Sequence, residues 1–412
     1  MCETVGGARA VARCEYLAVP PYSDTADGLY RAYLTPAYTA AQGKLSEWMA
    51  AAGMQVRRDP AANLIGRYDG TVADAPALLI GSHLDSVRDA GCYDGPLGIL
   101  LGVEAVAAFA AAGQRLPFAI EVIAFGDEEG SRFPAAMLTS RAVAGTLTPE
   151  ALDVADAQGV ALADAGVDIG RYRDAARAPG TTVAYLEAHI EQGPVLEAEA
   201  LPVGTVTGIA AQLRYGVTVI GTAGHAGTCA MPLRRDALAG AAEMILAVEA
   251  IARAAASDLV ATVGQLTALP GAANVVAGNV AFTVDIRAGD VHRRDAAADD
   301  IVDRIVAIAD ARKINCRIDL VHDLPPSPCD PKLMDLLDAA TADAGLPVRR
   351  LVSGAGHDAM VMAALCPTAM MFIRCRGGIS HNPAEHVAPA DADVALAVML
   401  GFIERLGAAH AD

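Results

Sequence analysis

Short apolar runs alternate with helical patterns through the first half of this chain, and that alternation restricts it to few folds. Ala77–Ile80 and Ala119–Phe125 read as buried strands with a helical pattern, Leu97–Ala112, between them. Such β and α units imply a mostly parallel central sheet with helices on both faces. In open sheets of this kind ligands collect beyond the carboxyl ends of the strands. Metal-ligating side chains stand at such positions: His83 with Asp94, Glu128 with Glu129, His189, and His381. Imidazoles and carboxylates together suit zinc, manganese or nickel without any thiolate.

A chain of 412 residues is too long for one hydrophobic core and implies about two or three domains. Its formal charge of −18 argues against nucleic acid or an anionic membrane as partner, so an anionic substrate needs a local arginine. The segment Met1–Tyr16 has no apolar stretch long enough for a secretion signal, and Leu97–Gly113 is interrupted by Glu104 and too short for a membrane span. A soluble, cytoplasmic protein is expected. The cysteines (Cys2, Cys14, Cys92, Cys229, Cys316, Cys329, Cys366, Cys375) are scattered with no CxxC pair, which fits reduced thiols.

The pattern changes near Arg214. Strand Tyr215–Ile220, helix Arg234–Ala256, strands Ala261–Ala268 and Val280–Ala288, helix Asp290–Arg312 and strand Cys316–Val321 give the order βαββαβ of a ferredoxin-like unit. Proline-rich Leu324–Pro331 reads as a connector back to the first domain. Beyond it come helix Lys332–Ala344, strand Thr368–Cys375 and a last amphipathic helix, Ala390–Leu406. The expected fold class is therefore α/β, with a discontinuous domain (residues 1–213 and 328–412) around a central sheet and an inserted ferredoxin-like domain (214–327).

Four motifs carry the expected chemistry. His83 of GSHLDS (81–86) shares a metal with Asp94 of the glycine-flanked turn Gly91–Gly98, and Asp85 accepts the second ring N–H of His83. In GDEEGSRF (126–133), adjacent Glu128 and Glu129 divide their roles, one ligating and one facing the attacking water. Their mutual repulsion raises one pKa. Asp127 reads as a solvated loop residue. EAHIEQG (187–193) and SHNPAEH (380–386) supply His189 and His381, the latter after a turn at Gly377 and Gly378. Taken singly, each motif has a structural alternative, a packed histidine or a solvated acidic turn. Four of them at equivalent topological positions point to a two-metal site with Asp94 as bridge.

With GHAG (224–227) and SGAGHDA (353–359), these motifs resemble, in order and spacing, the allantoate amidohydrolase and N-carbamoyl-L-amino-acid hydrolase family, over about Asp24 to Leu406. That family belongs to the dinuclear metallopeptidase-like superfamily, with aminoacylases and carboxypeptidases. The resemblance implies His83, Asp94, Glu129, His189 and His381 as ligands of two divalent ions (zinc, manganese, cobalt or nickel) and Glu128 as general base. It implies His225 and Asn274 as residues of a lid that also forms a homodimer interface, and Gln192, Arg287 and Gly356 as substrate contacts. His189 stands where exopeptidases of the superfamily usually carry a carboxylate, which weakens a peptidase reading.

Arg287 has support of its own: Thr283, Asp285 and Arg287 share the polar face of a strand, where an arginine can grip a carboxylate with two hydrogen bonds. A merely solvent-exposed arginine fits that pattern equally well. His225, in a glycine-rich turn, can donate to an oxyanion or be incidental. His357 reads as an orienting residue, secondary to Gly356. Cys229 and Ala230 depart from the threonine and proline common in relatives, and Cys92 precedes Asp94, so a thiol near the metals would bring sensitivity to oxidation or cadmium.

The expected reaction is metal-assisted hydrolysis of a ureido C–N bond. The leading substrate is allantoate, converted to ureidoglycine with release of ammonia and carbon dioxide. N-carbamoyl-L-amino acids come second. A small-molecule binding protein without catalysis is the remaining alternative, disfavoured by the intact Glu128.

Overall fold

The computed structural model describes residues 6–255 and 257–410. Cys2 lies outside the described residues; the other seven cysteines are free thiols. The chain divides into two compact units: Met1–Thr207, Pro328–Leu351 and Ala355–Asp412 form one, and Gly208–Ser327 with Val352–Gly354 the other. The boundary falls earlier than the sequence pattern suggests because the strand expected from Tyr215 begins at Ala211, paired to Ala288. Val352–Gly354 join the second unit, where Ala210 N–H donates to Ser353 O at 2.9 Å.

The first unit is built on a mixed sheet. Its centre runs Ala119–Phe125, Ala77–His83, Thr182–Ile190, Thr368–Ile373, and these neighbours are all parallel. Antiparallel strands flank them: Leu64–Tyr68 and Gln55–Arg58 on one side, Val203–Ile209 on the other. The central strands are buried along nearly their whole length, as expected where helices cover both faces. Helix Pro96–Ala111 fills one side and is buried at almost every position through Val106. Glu104 survives there because Arg9 clasps both its oxygens at 2.7 and 2.6 Å and Arg13 adds a contact at 2.9 Å. Proline at the first helical turn, behind an N-cap side chain, starts helices Pro36–Ala51 (Thr35) and Pro331–Asp343 (Asp330).

Parallel central strands place all their carboxyl ends along one edge. His83 and His189 do not follow their strands, as the sequence pattern suggests, but lie within them. Pairing of His83 with Phe125 and of His189 with Phe372 continues the ladders through both histidines. The expected connector Leu324–Pro331 contributes a short edge strand, Ser327–Pro328, to this sheet.

In the second unit the sheet is antiparallel throughout, in the order Leu266–Leu269, Asn279–Ala288, Ala211–Ile220, Asn315–Leu324. Val260–Thr262 also pairs with Asn279–Ala288, so the strand expected over Ala261–Ala268 is two short pieces broken around Gly264. Helices Ala237–Ala254 and Val291–Arg312 bury Met244, Val248, Ile301 and Ile305 in a core with Val280, Phe282, Val284 and Ile286. Among the described residues no helix is long and apolar enough to cross a membrane.

One buried charge in the central sheet has a measurable consequence. Glu121 is buried between Arg177 at 2.6 Å and Arg67 at 3.0 Å. Burial alone would raise its pKa, but the Arg177 charge and the hydrogen bonds from both arginines hold it below the ordinary glutamate value. A depressed pKa contributes stability that is present above the unfolded-state value and lost as pH falls through the folded-state value. Glu121→Gln is expected to cost roughly 2 kcal/mol at neutral pH. The gap from wild type should close as pH drops below about 4, where the wild-type carboxylate is protonated in the unfolded chain. Urea unfolding at the two pH values checks this, and a gap independent of pH would contradict it.

Candidate metal centre

His83 is the last residue of its strand, and its Nδ1 lies 3.0 Å from the Asp85 carbonyl oxygen. His189 Nδ1 lies 2.9 Å from the Ile190 carbonyl oxygen. A carbonyl only accepts, so each Nδ1 carries the hydrogen and each Nε2 presents a bare lone pair. Both lone pairs address one atom: Asp94 Oδ1 is 3.1 Å from His189 Nε2 and 3.7 Å from His83 Nε2. The other oxygen, Oδ2, is 3.2 Å from His381 Nε2, which is itself 3.5 Å from Glu129 Oε1. Asp94 thus faces two sets of donors with its two oxygens.

Three overlapping groups have donor atoms close enough to hold a cation: His83, Asp94 and His189; His83, Glu128 and Glu129; Asp94, Glu129 and His381. The strongest sign of fit is electrostatic. Asp94 Oδ1 and His189 Nε2 are buried and have no hydrogen-bond partner, although they lie 3.1 Å apart. Two acceptors facing one another in a water-poor place repel unless positive charge lies between them. The local field favours positive charge at the same place. Burial by itself would lower the His189 pKa, yet the Asp94 contact raises it, and His83 is raised likewise. Burial would raise Asp94, but the three imidazoles hold it well below the usual carboxylate range. The pocket calls for cations, and His/Asp/Glu donors match divalent zinc, manganese, cobalt or nickel.

Several expectations need correction. The Asp85 carboxylate is not what fixes His83, since its Oδ1 is 3.9 Å from the ring nitrogen and the backbone carbonyl is nearer. That carboxylate instead accepts Glu128 N–H at 3.2 Å and Glu129 N–H at 3.3 Å, setting the loop that carries the paired acids. Asp127 is not solvated: it is fully buried in the left-handed region at φ 56°, and burial pushes its carboxyl up to about 9. The pKa values of Glu128 and Glu129 are both raised, with burial the first cause and neighbouring carboxylates secondary. Burial pushes the Cys92 thiol up to about 12, which favours its protonated form.

Gln192 donates to Asp94 Oδ2 and to Ser380 Oγ, both at 3.1 Å, which leaves its carbonyl oxygen as the free end. His357 packs its ring 4.4 Å from that of His189, and burial with the His189 charge drives its pKa well down, so it is a neutral packing partner. Gly356, beside it, is exposed, with Met137 Cε nearest to where a Cβ would stand. Among the buried acids that sequence reasoning missed are Glu187 and Glu385. Glu187 accepts from Ser82 Oγ and Ala359 N–H at 2.9 Å each, and Glu385 accepts from Tyr93 N–H at 2.8 Å and Asp94 N–H at 3.1 Å. Glu187 was detectable as a charge inside an apolar strand. Glu385 carried no such signal.

The remaining residues belong to the second unit. His225 and Asn274 are neighbours on a small two-stranded ladder, with Val275 paired to His225 and Ala226 N–H donating to Asn274 O at 2.8 Å. Both are exposed. Gly227 N–H donates to His225 Nδ1 at 3.1 Å, so in the neutral ring the hydrogen sits on Nε2, ready to donate. Arg287 grips Asp285 at 2.7 and 3.3 Å, and Arg214 shares the same carboxylate at 2.6 Å. With Thr262, Gln265 and Thr283 they line a cavity of about 660 Å³.

Gly95 ties the helix start to the centre. Its φ is 85°, and a Cβ there would lie 2.4 Å from His83 O and 2.7 Å from the imidazole. Gly95→Ala is therefore expected to displace His83 and weaken divalent-metal affinity by roughly 10–100-fold. Metal content after equilibrium dialysis measures it, and unchanged content would show that His83 is no ligand.

A family model described as Peptidase family M20/M25/M40 matches residues 79–405. The N-carbamoyl-L-amino acid amidohydrolase of Geobacillus stearothermophilus is 43% identical over 383 residues, covering 92% of this chain and 93% of that protein. Allantoate deiminase 2 of Glycine max is 40% identical over 93% of this chain and 86% of its own length. A solved amidase of the hydantoinase/carbamoylase family from Burkholderia multivorans superposes with a TM-score of 0.90 at 34% identity, over 98% of this chain and 99% of that one. The donor set around Asp94 therefore sits in a chain that belongs to peptidase family M20/M25/M40, among its N-carbamoyl-L-amino-acid amidohydrolases and allantoate deiminases.

Proposed function

We propose that this protein is a metal-dependent hydrolase of a ureido C–N bond in a small carboxylate substrate. The observation that carries the reading is the buried, mutually facing pair of acceptors at Asp94 and His189, with His83, Glu129 and His381 around the same carboxylate. His83, Asp94 and His189 would hold one divalent ion, Asp94, Glu129 and His381 a second, with Asp94 shared. When bound, the ions supply Lewis-acid polarisation of the ureido carbonyl and of the attacking water.

The chain's own residues account for the remaining steps. Glu128, buried beside Glu129 and His83, is the general base: its raised pKa gives its carboxylate the proton affinity to accept a hydrogen from water. The water oxygen attacks the ureido carbon, one C–N bond breaks as Glu128 returns the proton to the departing nitrogen, and the carbamic acid that remains loses carbon dioxide to free the second nitrogen. His225, with its hydrogen on Nε2, suits donation to the oxyanion, and Asn274 beside it suits a second hydrogen bond to substrate. Arg287, held flat by Asp285, is the candidate for the substrate carboxylate. These roles make the second unit, read as ferredoxin-like, a lid whose closure completes the site. Its outer strand Asn315–Leu324 exposes Leu320 and Val321, which suits it to pair with a second copy in a homodimer.

Allantoate leads as substrate, with ureidoglycine, ammonia and carbon dioxide as products, supported by relatives named allantoate deiminase at 40–41% identity. N-carbamoyl-L-amino acids are the second reading, favoured by the Geobacillus relative at 43%. Metal-loaded protein should release ammonia from allantoate or free amino acid from N-carbamoyl-L-amino acids. Glu128→Gln should lower kcat by about 10²- to 10⁴-fold with bound metal unchanged. Absence of turnover on both substrates by metal-replete protein would instead point to a binding protein.

A further inference from the structure

We propose that Glu385 is a positioning residue that fixes the bridging Asp94 through both its backbone and its side chain. Glu385 is 6% exposed, and one oxygen accepts the N–H groups of Tyr93 at 2.8 Å and of Asp94 at 3.1 Å. Its other oxygen is 3.2 Å from Ser380 Oγ, and that hydroxyl is 2.9 Å from Asp94 Oδ2. The Glu385 N–H donates at 3.0 Å to Asn382 O, in the same turn that carries His381. One carboxylate therefore ties the loop of Asp94 to the segment of His381, two donors contributed from opposite ends of the chain.

The path to this carboxylate is built for it. A Cβ at Gly91 would lie 2.2 Å from Glu385 Cδ, so residue 91 must be glycine for space. Its backbone dihedral is not in the left-handed region, so conformational freedom is not the reason. Buried carboxylates seldom persist without satisfied acceptors, and here two backbone N–H groups satisfy one oxygen while the other faces Ser380 Oγ, whose single hydrogen serves either this carboxylate or Asp94. Supports of this kind around a metal ligand typically change metal affinity by 10–100-fold when removed, roughly what one misaligned ligand costs.

The inference rests on the two-metal reading, and its test separates the two. Zinc affinity of the full-length protein is measured by competition with a chelator, alongside the melting temperature of the metal-free form, for wild type, Glu385→Gln, Glu385→Asp and Gly91→Ala. Glu385→Gln keeps a carbonyl acceptor at the same reach and is expected to bind zinc within about threefold of wild type. Glu385→Asp keeps the charge but withdraws the acceptor, and with Gly91→Ala it is expected to lose roughly 10–100-fold while melting metal-free within a few degrees of wild type. The opposite order, with Asp retained and Gln lost, would show that charge matters and position does not, and would overturn the proposal. Equal affinity in all four proteins would also overturn it. A wild-type protein that binds no zinc, manganese, cobalt or nickel would bring down the metal reading itself, and this proposal with it.

Discussion

Two lone-pair acceptors, Asp94 Oδ1 and His189 Nε2, meet at 3.1 Å in a buried place, and the arrangement of the first unit answers that one contact. Parallel central strands bring His83 and His189 to the same edge, and backbone carbonyls hold both rings in the tautomer that leaves Nε2 bare. Asp85 sets the paired glutamates, Gly95 lets the chain turn close under His83, and Glu385 secures the aspartate from below. The facing pair itself is unfavourable without positive charge between its members, because unpaired buried acceptors each cost on the order of 1–3 kcal/mol. The protein thereby stores an electrostatic demand that divalent cations meet.

The second unit follows a similar principle with the signs reversed. Asp285 lies between Arg214 and Arg287 on the polar face of a strand whose other face, Val280 to Ile286, is core. Burial opposes the charge on Asp285, but hydrogen bonds from Arg287 and Arg214 keep its pKa low, so the carboxylate stays ionised and orients both guanidinium groups. They line a cavity together with two threonines and a glutamine. A chain of net charge −18 needs such a local patch to receive a carboxylate at all.

Much of this was legible in the sequence where periodicity is strong. Strand Ala119–Phe125 falls where its apolar run predicts, and the alternation from Val280 to Arg287 sorts core from polar face correctly. The donors were legible because imidazoles and carboxylates recur just past the apolar runs of the central strands. What escaped depends on contacts distant in sequence. Nothing local marks Glu385 as a partner of Tyr93 and Asp94, nearly three hundred positions earlier, or shows that Asp85 serves the glutamate loop more than His83. Asp127 misled for the opposite reason: a charged residue in a loop is usually solvated, and only the tertiary packing of its neighbours shows that this one turns inward. The strand ends were placed early at His83 and His189 because polar side chains interrupt the apolar run, although the backbone ladder continues beneath them.

The spread of the donors along the chain also bears on how the protein comes into being. His83, Asp94, Glu129 and His189 all precede the second unit, whereas His381 arrives only near the carboxyl terminus. The central strand Thr368–Ile373 beside His189, and Glu385 beneath the Asp94 backbone, also come from that last segment, so the residues around Asp94 can be brought together only when almost the whole chain has been synthesised. Domains emerge from the ribosome in order, and long-range closure is the slow step in such topologies. Cation binding would then be a late event of biogenesis, and a product truncated before His381 would lack part of the donor cluster.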